Sequence, residues 1–331
     1  MIDYQYIVEK IKFSNNIVIT SHKGPDGDAI GSSLALFHFI KSLGKNAVIC
    51  IPDEAPHYLT WIEGSNEIIY FDKERDKAAN LLVKADLLFC LDYNAPERVG
   101  KDMMDSLQNS SAYKILVDHH INPVNFCDYN FSDTRSCSTA QLIFEIINGS
   151  DHLTLLNEPM CQSIYMGIVT DTGSFRFPSV EAKTHEIIAI LIKNGLKHYE
   201  IHEKIFDTNT LDKIKLRGFA LAQKMEIVPG YPIAIISLTR NELQEYNYQN
   251  GDTDGLVNMA LSIQGINIAA FFTEREEQVK ISFRSKGDYY VNLIAMENFS
   301  GGGHKYAAGG VFFGGINEAI ESFKKLIPNY F

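Results

Sequence analysis

Short apolar runs alternate with helical patterns through the first half of the chain, and this alternation constrains the fold more than any other feature. The runs at 16–20 and 47–51 flank a stretch with apolar residues at helical spacing, which stops at Gly44. Two later runs, 86–91 and 113–117, are apolar at consecutive positions, as expected of strands covered on both faces. The sequence therefore predicts an α/β fold with a parallel sheet in its N-terminal half.

The pattern changes twice further along the chain. From about 182 to 225 it is helical and increasingly charged, and beyond that stretch strand patterns return in a more alternating style. A chain of 331 residues is long enough for two domains. We predict a parallel-sheet domain over 1–188, a helical linker over 189–225 and a smaller α/β domain over 226–331.

Charge and composition restrict the partners of the chain. The formal net charge of −11 argues against a protein that holds long duplex nucleic acid by neutralising its phosphates, so any nucleic-acid ligand should be short. The five cysteines are dispersed and do not form a C-x-x-C pair. The sequence contains neither a signal-peptide core nor an apolar run of about 20 residues. We therefore expect a cytoplasmic protein that does not enter a membrane.

Acids and histidines follow the predicted strands at the points where the strands end. The carboxyl ends of parallel strands meet at one edge of an open sheet, so these groups should converge although they are distant in sequence. A mostly apolar helix over 157–170 adds one further carboxylate at its end. The residues are His22, Asp26, Asp28, Asp92, Asp118, His119, His120 and Asp171.

A cluster of carboxylates and imidazoles without thiolates suits manganese, with magnesium or cobalt as alternatives. Two such cations at about 3.5–4 Å form a familiar arrangement for phosphoryl hydrolysis. At any single position, a helix cap or an ordinary loop pair explains the residue equally well. Chance is a much poorer explanation for four segments that all place such residues at the ends of elements.

The second domain has a candidate phosphate-binding face. Alternation over 279–284 puts Val, Ile and Phe on one face and Lys, Ser and Arg on the other. Arg284 offers a planar fork for phosphate, and the glycines at 301–303 would let backbone N–H groups approach an anion before His304. The alternatives are a solvated strand face and a flexible glycine loop.

These segments resemble the motifs of the DHH phosphoesterase family, which is named for the triplet present here at 118–120. The stretch 22–32 resembles the first motif, Asp92 the second and Asp171-Thr-Gly-Ser the fourth. The stretches 282–285 and 301–309 resemble the DHH-associated substrate domain. The resemblance covers nearly the whole chain, and it implies a DHH catalytic domain followed by a substrate-binding domain.

The resemblance also implies roles for individual residues. The ligands implied for a first metal ion are His22, Asp26 and Asp92. Those implied for a second metal ion are Asp28, Asp92, His119 and Asp171, with Asp92 shared. Asp118 would orient a metal-bound histidine, and His120 would stabilise charge on the phosphate or act as an acid. The residues implied to bind substrate are Arg284, Ser285, Gly301, Gly302, Gly303 and His304.

Within the family, this compact length resembles the bifunctional oligoribonucleases and pAp phosphatases. It implies hydrolysis of very short single-stranded RNA to nucleoside monophosphates and of pAp to AMP, with pApA as a further candidate substrate. One alternative is a cyclic di-AMP or pApA phosphodiesterase, and another is a catalytically silent nucleotide-binding module. The sequence leaves the choice between a monomer and a homodimer open.

Overall fold

The computed structural model describes residues 2–330, which form two compact units. The first unit ends at Thr208 and the second begins at Asn209. Each unit contains a sheet of six strands with helices packed against it. The predicted α/β class is thereby confirmed. Among the described residues, no helix has both the length and the apolar character needed to cross a bilayer.

The sheet of the first unit is entirely parallel and has the strand order β3-β2-β1-β4-β5-β6. Its strands are β1 (Ile17–Thr20), β2 (Ala47–Ile51), β3 (Ile69–Tyr70), β4 (Leu87–Leu91), β5 (Tyr113–Asp118) and β6 (Tyr129–Ser132). The strand order reverses direction between β1 and β4. In an open α/β sheet, ligands bind beyond the carboxyl ends of the strands at such a reversal.

Helices cover both faces of this sheet. They are α1 (Tyr4–Phe13), α2 (Gly27–Ser42), α3 (Arg75–Lys84), α4 (Lys101–Asn109), α5 (Thr139–Gly149), α6 (Glu158–Asp171), α7 (Ala182–Lys193) and α8 (His198–His202). Alternate strand residues such as Ile19 and Phe89 pack against α1, α2, α5 and α6. Their neighbours Val18 and Cys90 pack against α3 and α4. Burial on both faces explains why these strands are apolar at consecutive positions.

The sheet of the second unit is mixed and has the strand order β11-β12-β10-β9-β8-β7. Its strands are β7 (Met225–Ile227), β8 (Ile233–Leu238), β9 (Ile268–Glu274), β10 (Val279–Ser285), β11 (Gly302–His304) and β12 (Ala307–Phe312). Only β8 and β9 pair in parallel within this described sheet. Its helices are α9 (Leu211–Gln223), α10 (Arg240–Glu245), α11 (Leu256–Leu261), α12 (Val291–Asn298) and α13 (Ile316–Tyr330).

The predicted helical linker is helical in the structure, but its helices belong to different units. Leu191 of α7 and Ile201 of α8 are buried in the core of the first unit. Leu216 and Ala220 of α9 are buried against the sheet of the second unit. The division therefore falls inside the predicted linker, between Thr208 and Asn209. The domain boundaries drawn from the sequence at 188 and 225 stay predictions.

Candidate active site

The acids and histidines singled out in the first unit lie at the carboxyl-terminal edge of its sheet. His22 follows β1, Asp92 follows β4, and Asp118 is the last residue of β5. Asp26 is the N-cap of α2, and Asp171 is the last residue of α6. Because the strands are parallel and adjacent, residues separated by up to half the chain length meet at this edge.

The first group consists of His22, Asp26 and Asp92. His22 Nε2 lies 3.4 Å from Asp92 Oδ2 and 3.9 Å from Asp26 Oδ1. The other ring nitrogen, Nδ1, is 3.0 Å from the carbonyl oxygen of Lys23, which orients the ring. The donor atoms of the three residues could therefore bind one cation together.

The second group shares Asp92 with the first. His119 Nε2 lies 3.6 Å from Asp92 Oδ1, 3.8 Å from Asp28 Oδ2 and 3.5 Å from Asp171 Oδ2. Asp92 therefore directs one carboxylate oxygen towards His22 and the other towards His119. A carboxylate in this position can bridge two neighbouring cations.

The backbone of Asp92 makes a sharp turn at the end of β4. Its φ of 64° lies in the left-handed region, which aspartate and asparagine tolerate better than most residues do. Its N–H donates to the carbonyl oxygen of Val117 on the neighbouring strand at 3.0 Å. This turn aims the side chain across the edge of the sheet, and the side chain is 2% exposed.

The beginning of α5 contacts both groups. The backbone N–H groups of Thr139 and Ala140 donate to the two carboxylate oxygens of Asp28 at 2.6 and 2.8 Å. The Thr139 hydroxyl donates to Asp92 Oδ1 at 3.0 Å. In the sequence, Ser138-Thr139 before an apolar stretch is typical of the start of a helix. A hydroxyl next to the cap residue is a weak signal, and its partners become visible only in the folded chain.

Glycines allow the helices that carry these groups to come close together. A Cβ on Gly31 of α2 would lie 2.5 Å from the carbonyl oxygen of Ser163 on α6. A Cβ on Gly167 of α6 would lie 2.4 Å from the Ala140 side chain and 2.7 Å from Asp28 Oδ1. Larger residues would push α2, α5 and α6 apart. The position of Asp28 thus depends on these two glycines.

The Asp118 side chain is fully buried and contacts His120. Its Oδ1 lies 2.8 Å from His120 Nδ1. No hydrogen-bond partner for its other oxygen, Oδ2, occurs within residues 2–330. The resemblance implied that Asp118 orients a metal-bound histidine, whereas the structure places it against His120. His119 Nδ1 instead lies 3.2 Å from the carbonyl oxygen of Ser136.

The close approach of these groups shifts their pKa values in opposite directions. Burial lowers the pKa of His22, but its contacts with Asp26 and Asp92 outweigh burial and raise it to about 10. Burial raises the pKa of Asp92, but the contacts with His22, His120 and His119 together outweigh burial and lower the pKa overall. Burial and repulsion by Asp92 raise the pKa of Asp28 well above its ordinary value. Burial also raises the pKa of Asp171, to about 6.

These shifts bear on whether the residues suit metal ions. Like charges crowded into a buried edge repel each other, and a divalent cation relieves that repulsion. Most of the donor atoms are carboxylate oxygens, which suit manganese and magnesium, whereas the imidazole nitrogens suit transition metals better than magnesium. The residues of both groups therefore fit divalent cations.

The second unit brings two of the predicted substrate-binding residues to one face of its sheet. Arg284 on β10 pairs with Ala307 on β12, and Ala307 pairs with His304 on β11. Directly opposed residues in antiparallel strands point to the same face. The side chains of Arg284 and His304 therefore flank Ala307, and all three are half-buried.

Ser285 does not join this face. Alternation along β10 puts its side chain on the opposite side from Arg284, where it is 6% exposed. Its hydroxyl donates to the carbonyl oxygen of Tyr289 at 2.6 Å. The structure thus places Ser285 in a contact that supports the following loop, away from the predicted substrate-binding face.

The three glycines at 301–303 are not equivalent. A Cβ on Gly301 would lie 2.0 Å from the carbonyl oxygen of Gly309, and one on Gly303 would lie 2.5 Å from that of Ala307. The φ of Gly303 is +136°, which disfavours any other residue. A Cβ on Gly302 would meet only the Met296 side chain, at 4.0 Å. Close packing of β11 on β12 explains Gly301 and Gly303, while Gly302 borders open space.

The fold and the site define a two-domain α/β protein with a carboxylate and histidine cluster typical of metal-dependent phosphoryl hydrolases. Residues 16–168 match the DHH family, N-terminal domain, and residues 230–331 match the DHHA1 domain. The chain belongs to the DHH family of phosphoesterases.

Several known proteins resemble the chain over most of its length. It is 28% identical to the bifunctional oligoribonuclease and PAP phosphatase NrnA of Bacillus subtilis (strain 168), over 92% of this chain and 91% of that protein. The cyclic-di-AMP phosphodiesterase GdpP of the same organism is 26% identical over 98% of this chain but only 49% of its own length. The crystal structure of an exopolyphosphatase-related protein from Bacteroides fragilis has a TM-score of 0.93 and 36% identity, covering 99% of this chain and 96% of that one.

Proposed function

We propose that this phosphoesterase hydrolyses very short oligoribonucleotides to nucleoside monophosphates and pAp to AMP. The observation that carries the proposal is the position of Asp92, whose two carboxylate oxygens face His22 on one side and His119 on the other. The NrnA relative supports the choice of substrates, because the similarity extends over nearly the full length of both chains.

We assign two divalent cations, with manganese as the preferred metal at both positions, to the edge of the first sheet. The proposed ligands of one cation are His22, Asp26 and Asp92. The proposed ligands of the other are Asp28, Asp92, His119 and Asp171. Divalent cations bound there supply activation of a water molecule and neutralisation of phosphate charge.

The remaining polar residues would act on the substrate directly. Asp118 holds the His120 ring by its Nδ1 atom, so Nε2 is presented to the phosphate. There His120 would stabilise developing negative charge or donate a proton to the leaving oxygen. In the second unit, Arg284 would bind a phosphate with its planar guanidinium group, beside His304 and the open backbone of Gly302.

Charge also supports a short ligand. A net charge of −11 disfavours long duplexes, which are held mainly through their phosphates. Short single-stranded RNA and pAp can instead be bound at a few localised cationic groups such as Arg284. A cytoplasmic location, where such fragments arise from RNA turnover, is part of the same proposal.

A second candidate function is hydrolysis of cyclic di-AMP or of its linear product pApA. It is favoured by the similarity to GdpP, which covers 98% of this chain. This chain corresponds to only 49% of that relative, so the similarity supports a shared catalytic region and carries less weight for substrate choice.

The test is a hydrolysis assay in manganese buffer with a graded series of labelled RNAs, pAp, pApA, cyclic di-AMP and pyrophosphate. We expect mononucleotide release from the shortest RNAs and dephosphorylation of pAp, with both activities lost in Asp92→Asn. Preference for cyclic di-AMP would replace the proposal with the second candidate. Binding of nucleotides without turnover in any divalent metal would indicate a silent binding module.

A further inference from the structure

We propose that Thr139 is a positioning residue for the metal centre, because its side chain holds Asp92 while its backbone holds Asp28. The inference rests on the proposed metal-dependent function. The Thr139 hydroxyl donates to Asp92 Oδ1 at 3.0 Å, and its N–H donates to Asp28 Oδ2 at 2.6 Å. All three residues are at most 2% exposed. One residue therefore links a carboxylate of each proposed metal position.

The hydroxyl helps to fix the plane of the Asp92 carboxylate between the two histidines. Oδ1, which accepts from Thr139, lies 3.6 Å from His119 Nε2, and Oδ2 lies 3.4 Å from His22 Nε2. Rotation of this carboxylate about its last side-chain bond would break the bond to Thr139 and disturb both contacts together. Groups that fix metal ligands in this way strongly influence metal affinity.

Helix capping does not account for the hydroxyl. The N-cap of α5 is Ser138, whose Oγ accepts from the N–H of Gln141 at 3.1 Å. Thr139 is the first helical residue, so its side chain is not needed for the cap. Its hydroxyl is directed to Asp92 instead. The N–H groups of Thr139 and Ala140, which lack partners within the helix, are bound by Asp28.

The start of α5 also offsets the repulsion among the carboxylates. Asp28 is 1% exposed and lies near the negative charges of Asp92 and Asp171. Two N–H donors at a helix N-terminus stabilise an anion there. Thr139 and Ala140 thus hold Asp28 in place against groups that repel it. Thr139 adds a donor to Asp92 from the same turn of the helix.

The test compares Thr139→Val, which keeps the size and the backbone N–H but removes the hydroxyl, with Thr139→Ser, which keeps the hydroxyl. Thr184→Val is the matched control, because the Thr184 hydroxyl is also buried but donates to Gln141 Oε1 at 2.8 Å rather than to an acid. Calorimetric titration with Mn²⁺ gives the affinity independently of any substrate. Thermal unfolding of the metal-free variants shows whether each is folded.

We expect Thr139→Val to bind Mn²⁺ about 10- to 100-fold more weakly, as for other residues that orient metal ligands. We expect Thr139→Ser to stay near the wild-type affinity, and Thr184→Val to keep that affinity even if its melting temperature falls. In pAp hydrolysis at saturating metal, Thr139→Val should lower kcat and leave KM nearly unchanged.

Several results would overturn the inference. The first is that Thr139→Val binds Mn²⁺ with wild-type affinity. The second is that Thr139→Val and Thr139→Ser weaken Mn²⁺ binding equally. The third is that Thr184→Val weakens Mn²⁺ binding as much as Thr139→Val does. A wild-type protein that binds no divalent cation would overturn it too. If the wild type binds Mn²⁺ and Thr139→Val weakens that binding, but neither RNA nor pAp is hydrolysed, the proposed substrates fail while the role of Thr139 stands.

Discussion

His120 Nδ1 lies 2.8 Å from Oδ1 of the fully buried Asp118. The bond fixes the ring and turns its opposite nitrogen, Nε2, away from Asp118. A buried carboxylate next to a histidine selects the tautomer protonated at the bonded nitrogen. Asp118 and His120 should therefore act together when His120 contacts a phosphate.

Asp118→Asn tests this pairing of Asp118 with His120, because the substitution keeps the shape of the side chain and removes its charge. We expect kcat for pAp to fall by about 10²- to 10⁴-fold, the range for loss of acid–base catalysis, with Mn²⁺ affinity nearly unchanged. His120→Ala should lower kcat for pAp by a similar factor. The double variant should be no slower than His120→Ala alone, and additive losses would show that the two residues act separately.

Asp92→Asn should abolish hydrolysis without unfolding the chain. Asparagine accepts the left-handed φ of 64° at this position, but it lacks the charge that the two groups share. We expect a weakened response at both proposed metal positions in a calorimetric Mn²⁺ titration and wild-type circular dichroism. Asp105→Asn, at an exposed acid on α4, is the control for loss of a charge and should behave as wild type.

The glycines of the second unit give a matched pair of variants. Gly302→Ala should fold normally, because its Cβ meets only the flexible Met296 side chain at 4.0 Å. It should raise KM, because the added methyl group would crowd the proposed phosphate position beside His304. Gly303→Ala should destabilise the unit, because its Cβ would lie 2.5 Å from the Ala307 carbonyl oxygen. Melting temperature and KM for pAp check both. Equal stability of the two variants would contradict this account of β11.

Metal binding should release protons and become tighter as pH rises. In the metal-free protein the pKa of His22 is raised from 6.5 to about 10, so the ring carries a proton throughout the pH range between these values. A metal requires the neutral ring, so the proton must leave when Mn²⁺ binds. We expect about a tenfold gain in apparent affinity per pH unit for each proton released.

Calorimetry in buffers of different ionisation enthalpy measures this proton release. The number of protons released on Mn²⁺ binding should fall in His22→Asn. It should stay at the wild-type value in His57→Asn, which alters an exposed histidine. A binding enthalpy independent of the buffer would show that His22 is already neutral in the metal-free protein. Without metal, the stabilisation by protonated His22 should be complete below pH 6.5 and be lost as the pH rises through about 10.

The amino-acid sequence was sufficient to predict the alternation of strands and helices and the position of Asp92 and Asp118 at strand ends. Both follow from local patterns, since burial on two faces makes a strand apolar throughout and a polar residue marks its end. The short edge strand β6 (Tyr129–Ser132) carried no comparable pattern and was not predicted. Neither was the division of the helical stretch at Thr208, which depends on which core each helix packs against.

Which side chains meet depends on the packing of the folded chain. The partner of Asp118 is His120, the hydroxyl of Thr139 reaches Asp92, and Ser285 faces away from Arg284. These contacts depend on strand register and on how closely the helices pack, which no local pattern encodes. Periodicity fixes the face of an element on which a residue lies, but distances of about 3 Å between remote residues are set by the packing of the whole unit.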